Sequence, residues 1–307
     1  MINGAEMDDR KAYTLLVVAM ISISFAAVFV RLSGAPPSSV AALRMLFSSL
    51  LLFPFVIFSK KVRGEFSSLG KKDIVLLFVS GGLLAIHFLT WITSLFLTGI
   101  VSSIVFVTAS PLFVAVYSVL VYREKVPGFF WAGLGLAAVG AIVMGGNNLR
   151  VTGGTSWKGD LLAITGAVAA AGYFLTGSRL RLRLSLLSHL FAVYTVAAVI
   201  LVAVLPFTGG NLAGLPVKAY VYCLLMAVVC QGGGHSLLNW ALKRLKTTVV
   251  TFSVLAEPLG TTLLALIILR EVPLKSEIAG GLIILTGLAI VIYFNQAFQN
   301  ARGVKSY

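Results

Sequence analysis

The stretch VLAEPLGTTLLALIILREV, residues 254–272, carries Glu257 followed at once by Pro258 in otherwise apolar surroundings. A carboxylate there is costly unless a cation, a proton or water meets it. Its available chemistry is therefore pairing with an ammonium or guanidinium group, or proton exchange. His87 and His235 stand in similar apolar runs, where an imidazole either hydrogen-bonds a carboxylate or carries a proton, its reference pKa of about 6.5 lying near neutrality. Helical spacing extends these residues into polar stripes, because positions four apart share one side of a helix. Ser253, Glu257 and Thr261 form one stripe, and Gln231, His235 and Asn239 another. His87 shares a face with Thr90, Trp91 and Ser94, while Ser103, Ser110 and Tyr117 recur every seven residues and Tyr173 and Thr176 lie close together.

From these stripes His87, Trp91, Ser110, Tyr117, Tyr173, Gln231, His235, Asn239, Ser253 and Glu257 are expected to line a substrate cavity. Each also has a plainer reading. Ser, Thr, Asn and Gln hold membrane helices together by hydrogen bonds of about 0.6–2 kcal/mol without touching a solute. Glu257 is open to pairing with His235 or with Arg44, the possible charge partner in the second apolar run. Arg44 either snorkels to the near interface or reaches the pocket. Trp91 and Trp240 are interfacial belt residues or stacking platforms. Pro111 and Pro258 each remove a backbone donor inside an apolar run, which favours a kink and makes them candidate gating points.

The elements that must position these groups are legible from composition. The chain has 307 residues, 59% of them hydrophobic and 11% charged, with a mean hydropathy of +1.00. That is too apolar for a soluble domain, whose apolar fraction is nearer half. Ten apolar runs lie at about 12–32, 39–59, 73–97, 101–122, 129–146, 158–178, 186–206, 217–242, 247–269 and 275–296. Each is long enough as a helix to cross a core of about 30 Å. The first is read as an uncleaved span, because its flank EMDDRK is not net positive. With a cytoplasmic N terminus, 17 Lys and Arg fall on inner segments and 6 on outer ones, and Arg44 lies within a span. Both termini are therefore expected inside. The net charge of +14 is spread over short clusters between runs, which matches membrane topology and not a nucleic-acid partner.

Sliding residues 101–144 by 147 positions gives nine identities without a gap. VTASPL falls on VLAEPL, Arg123-Glu124 on Arg270-Glu271, Ala132-Gly133 on Ala279-Gly280, and Gly140 on Gly287. HFLTW at 87–91 and HSLLNW at 235–240 also correspond. Five runs are thus followed by five similar runs, and because five is odd the second set must be inverted. The expected fold is an all-α membrane protein of ten transmembrane helices in two inverted five-helix repeats. The first repeat covers 1–146, a short loop 147–157, the second repeat 158–296, and a cytoplasmic tail 297–307. Inverted repeats are a signature of secondary transporters, whose sites lie near mid-membrane between the halves.

The two five-helix halves, PSSVAALRMLFSSLLL with its Arg44, the Pro111 to Glu124 and Pro258 to Glu271 segments, and the glycine-rich fifth and tenth runs resemble EamA-type members of the drug/metabolite transporter superfamily. The resemblance covers nearly the whole chain. It implies a multi-pass protein of the inner membrane that exports amino acids or other small metabolites. Carriers of drugs, nucleosides or sugar derivatives share that fold. Unlike the small four-helix multidrug members, the first run, YTLLVVAMISISFAAVFV, has no embedded Glu.

No Gly-rich phosphate loop, G-x-S-x-G or H-E-x-x-H is present, so neither a catalytic residue nor a cofactor is expected. Cys223 and Cys230 share one apolar run without metal-ligand spacing and read as packing residues, so no metal is expected either. An intramembrane enzyme using Glu257 with His87 or His235 is the competing class. The expected partners are a small solute and the lipid bilayer, and no oligomer is required.

Overall fold

A computed structural model describes residues 4–122, 128–151, 156–241, 253–254 and 256–301, apart from some side chains near the edges of these segments, and among them all regular structure is helical. The first half comprises α1 (Gly4–Ser33), α2 (Pro37–Phe58), α3 (Lys60–Ser67), α4 (Lys71–Ser94), α5 (Ile100–Thr108), α6 (Ser110–Tyr122) and α7 (Gly128–Val151). The second begins with α8 (Ser156–Leu180) and α9 (Leu186–Thr208). Helix α10 (Val217–Leu225) continues through a π-helical stretch, Met226–His235, into α11 (Ser236–Ala241). Helix α12 (Glu257–Leu264) ends in π-helical Ala265–Leu269, and α13 (Lys275–Ala301) follows. Among the described residues six helices are long and apolar enough to cross a membrane, and Ile100–Val114, Trp131–Val143 and Glu257–Leu269 form shorter apolar helices. Residues 147–151, expected in a connecting loop, are helical, because the apolar run records the depth of hydrocarbon and not where the helix stops.

The fourth run, expected as one helix, parts at Ala109 into α5 and α6. The ninth has the same break, with Ala256 in a turn before α12. Pro111 and Pro258 are each the second residue of the helix after the break, where a missing N–H leaves no internal hydrogen bond unmade. The prolines thus begin helices instead of bending continuous ones.

The halves pack with two-fold character. Helix α2 packs on α9 and α7 on α13, each a pairing of counterparts, while α4 on α8 is matched by α1 on the π-helical stretch. Direction follows from the helix ends. Arg31, near the end of α1, donates to the Thr98 carbonyl at 3.3 Å, and Thr98 Oγ1 donates to Asp160 at 2.8 Å near the start of α8. The end of α1 therefore meets the start of its counterpart, and the two run in opposite senses. At the far end of the bundle Arg183 pairs with Asp73 at 2.8 Å. There Glu65 of α3 accepts hydrogen bonds from the Ser185 backbone N–H at 2.9 Å and from Ser188 Oγ, tying α3 to the start of α9. Burial alone would raise the Glu65 carboxyl, but these hydrogen bonds outweigh it and hold the group below the ordinary carboxylate range.

Polarity is inside out. Phe55, Ile142, Val199 and Ile267 are each more than 60% exposed, whereas Arg44, Ser80, Ser94 and Ser103 are buried. An exterior this apolar suits hydrocarbon and not water. Close helix approach relies on glycine. A Cβ on Gly140 would lie 2.7 Å from the Gly280 carbonyl oxygen, and one on Gly287 would lie 2.5 Å from that of Gly133. The shift of 147 carries each of these contacts onto the other. Backbone cannot move aside as a side chain can, so Gly287→Val is expected to force α7 and α13 apart at a cost of about 1–3 kcal/mol. Thermal unfolding of the purified variant checks this. A melting temperature equal to wild type contradicts the contact.

Candidate functional site

Between the halves lies a cavity of about 390 Å³ lined by α1, α2, α4, α5, α6, α8, α9, the π-helical stretch, α11 and the start of α12. This size is within the range small-molecule sites use. It brings together His87, Trp91, Ser110, Pro111, Tyr173, Gln231, His235, Glu257 and Arg44. Ser110 and Glu257 are repeat counterparts, each just after a helix break and each on the cavity lining.

Arg44 does not snorkel: it is 1% exposed and donates from Nη2 to Gln231 Oε1 at 2.7 Å. Its guanidinium lies 4.3 Å from the Phe88 ring centre and 5.6 Å from that of Trp91. Trp91 is 4% exposed and therefore not a belt residue; it stacks on His87 with an interplanar angle of 9°. His87 Nδ1 lies 2.9 Å from the Gly166 carbonyl oxygen, which only accepts, so Nδ1 carries the proton and a neutral ring keeps Nε2 as an acceptor. Glu257 is the first residue of α12 and faces the cavity at the positive end of that helix. Among the described residues it makes no ion pair with Arg44 within 4 Å.

Several expected residues fall elsewhere. Tyr117 is 37% exposed and off the cavity, and Ser253 is also off the lining, where its neighbour Val254 stands. The break at Ala256 changes the phase between Ser253 and Glu257, while Tyr117 lies in α6 with Ser110 but about two turns further along, beyond the cavity. Ser103 bonds Ser94 at 2.6 Å, and Thr261 donates to the Ser24 carbonyl at 3.1 Å, so both join helices together. Thr176 returns its hydroxyl to the Gly172 carbonyl at 2.9 Å. The Asn239 side chain lies outside the described residues. Sequence reasoning missed His189 and Tyr194 of α9, Phe88, Thr108 and Arg181, all on the lining. His189 stacks on Tyr173 with ring centres 6.2 Å apart, and the Tyr194 hydroxyl lies beside Gln231. Only the polar cluster Ser188, His189, Tyr194, Thr195 offered a signal.

The cavity is asymmetric along the bundle. Its lining reaches Ser178, Arg181 and Leu186 at the α8–α9 turn. The opposite end is tied shut by carboxylates. Glu271 accepts from the Ile100 backbone N–H at 2.9 Å and stands 3.7 Å from Arg31. Glu277 accepts from Ser102 Oγ at 2.8 Å and from the Leu274 N–H at 2.9 Å. Glu271 thus anchors the start of α5 in the other half, not the end of its own helix. It is aimed there by Arg270, whose φ of 56° and ψ of 27° form the left-handed cap after Leu269. The counterpart Glu124 lies outside the described residues. No group of His, Cys, Asp and Glu among the described residues has the arrangement of a metal site.

No curated protein matches the chain. A crystal structure described only as that of a protein has a TM-score of 0.62 and 16% identity, covering 94% of this chain and 99% of the other; at that identity the likeness is one of fold. The model of the EamA-like transporter family matches twice, at residues 10–146 and 157–293. The chain is therefore a multi-pass membrane protein built as an inverted repeat, and it belongs to the EamA-like transporter family of the drug/metabolite transporter superfamily.

Proposed function

We propose that this protein is a secondary carrier and not an enzyme, exporting small polar metabolites, amino acids foremost, across the inner membrane by alternating access. The observation that carries this reading is the cavity between inverted halves, apolar for the most part with Arg44, His87, Gln231, His235 and Glu257 on its lining, extended to one end of the bundle and closed at the other. The ten apolar runs serve as ten crossings with both termini cytoplasmic. The excess of Lys and Arg puts the α8–α9 turn, and with it the extended end of the cavity, on the cytoplasmic side. Export then begins with a solute entering from the cytoplasm. Rocking of the halves about the cavity releases the carboxylate ties on the outer end and closes the inner one. Within the cavity Glu257 meets the ammonium group of the solute, and the aromatic surfaces of Trp91, Tyr173 and Phe174 take its side chain.

Purified protein in liposomes tests the reading. Labelled amino acids trapped inside are expected to exchange with unlabelled amino acid outside far faster than in protein-free vesicles. Protein-containing vesicles that exchange none of the twenty amino acids would contradict the substrate class. The same vesicles with an imposed pH gradient distinguish proton coupling, seen as accumulation against the solute gradient, from simple equilibration.

A further inference from the structure

Arg44 has more hydrogen-bonding capacity than its protein neighbours use. It is 1% exposed, and Nε and Nη1 have no partner. Among the described residues no carboxylate comes within 4 Å of it. A guanidinium keeps its charge in a protein, and a buried charge without a counter-charge costs several kcal/mol. Gln231 occupies one of the two Nη2 hydrogens. If it holds the one facing Nε, the fork of Nη1 and Nη2 stays complete; if it holds the other, the fork of Nε and Nη2 does. Either way one parallel pair of N–H donors is free. Phe88, 4.3 Å from the guanidinium carbon, covers a face of the group, so a ligand meets the edge. The edge of a guanidinium matches a planar carboxylate with two parallel hydrogen bonds.

The rest of the cavity agrees. Trp91 Nε1, a donor only, and Thr108 Oγ1 and His189 Nδ1, each able to donate or to accept, are also buried there without partners. The free capacity is therefore weighted toward donors awaiting an acceptor. The Arg44 guanidinium and the Glu257 carboxylate cancel, so a zwitterion with one carboxylate and one ammonium leaves this pair of charges balanced, whereas an aminophosphonate with a doubly charged phosphonate would leave an excess of negative charge.

We infer that the free edge of Arg44 docks a carboxylate of the transported solute, and that Gln231 and Phe88 hold the guanidinium in place for it. This rests on the carrier reading above and assigns the acid end of the solute to Arg44 and not to the imidazoles. The test is thermal stabilisation of the purified wild-type protein by the twenty L-amino acids, by their α-amides, and by the α-aminophosphonate analogues of those that bind. Acids are expected to shift the melting curve at concentrations at least tenfold below their amides and their phosphonates. Arg44→Gln is expected to lose that preference, and Arg44→Lys, which keeps the charge without the fork, to retain part of it. The comparison of acid with amide uses the wild-type protein alone, so a misfolded variant does not remove the test. Amides binding as tightly as acids, phosphonates binding better, an Arg44→Gln variant with unchanged preference, or no acid binding at all would each overturn the assignment. Flux separates the two readings: amides crossing liposomes as well as acids would spare the carrier and sink the Arg44 contact. Acids held through Arg44 without any flux would do the reverse.

Discussion

Replacing Glu271 by alanine is expected to open the closed end of the cavity. The carboxylate joins Ile100, the first residue of α5, to the end of the ninth apolar run at 2.9 Å, and so ties one half of the protein to the other. A hydrogen bond to a charged group contributes about 1.5–3 kcal/mol. Its ion pair with Arg31, at 3.7 Å and with both side chains about a third exposed, adds little. Removing about 1.5–3 kcal/mol from one of two states shifts their ratio by roughly 10- to 100-fold. Cysteine labelling reads that shift. With Ser110→Cys placed in the cavity, a membrane-impermeant maleimide added outside is expected to label the Glu271→Ala protein about tenfold or more faster than its Glu271 parent. Glu271→Gln keeps an acceptor for Ile100 and should fall between them. Equal labelling in all three would show that this contact does not hold the outer end closed.

The repeat was legible in the sequence because the residues that recur are those with backbone consequences. Pro111 and Pro258 start helices after matching breaks, and Gly140 and Gly287 sit where helix backbones touch. These roles leave little freedom to substitute, so the pattern survives between halves that otherwise differ. The candidate site was legible in part. Glu257, His87, His235 and Gln231 stood out because polar groups in apolar runs must turn inward. Ser253 was misplaced because a stripe extrapolates one helical phase and the break at Ala256 rotates what lies beyond it; Tyr117 was misplaced because a shared face does not report depth, and it stands about two turns along α6 from Ser110. Arg44 was ambiguous because distance from a helix end does not report depth in the bundle. It reaches the cavity because Phe88, Trp91 and Gln231, from elements far apart in sequence, converge on it. His189 and Tyr194 were missed because α9 is otherwise so apolar that two ring residues read as packing.

Glu257→Gln is expected to lower the transport efficiency for amino acids by about thirtyfold or more, since removing one member of a desolvated charge pair costs about 2–5 kcal/mol. The substitution keeps size and hydrogen-bonding shape, so the loss reports charge. The loss should be selective: 2-hydroxy acids, which have no ammonium group, are expected to cross Glu257→Gln as well as they cross wild type. A variant that slows both classes equally would point to a structural role for the carboxylate. The repeat supplies a stricter arm. Ser110 holds the position equivalent to Glu257, at the matching helix break and on the same cavity. In a site on the pseudo-two-fold axis, a carboxylate moved to the counterpart position still faces the solute. The double variant Ser110→Glu with Glu257→Ser is therefore expected to recover a measurable part of the amino-acid exchange that Glu257→Ser alone abolishes. Two variants equally dead, with melting temperatures like wild type, would mean that the two breaks are not equivalent toward the solute and that its ammonium group is met from the second repeat alone.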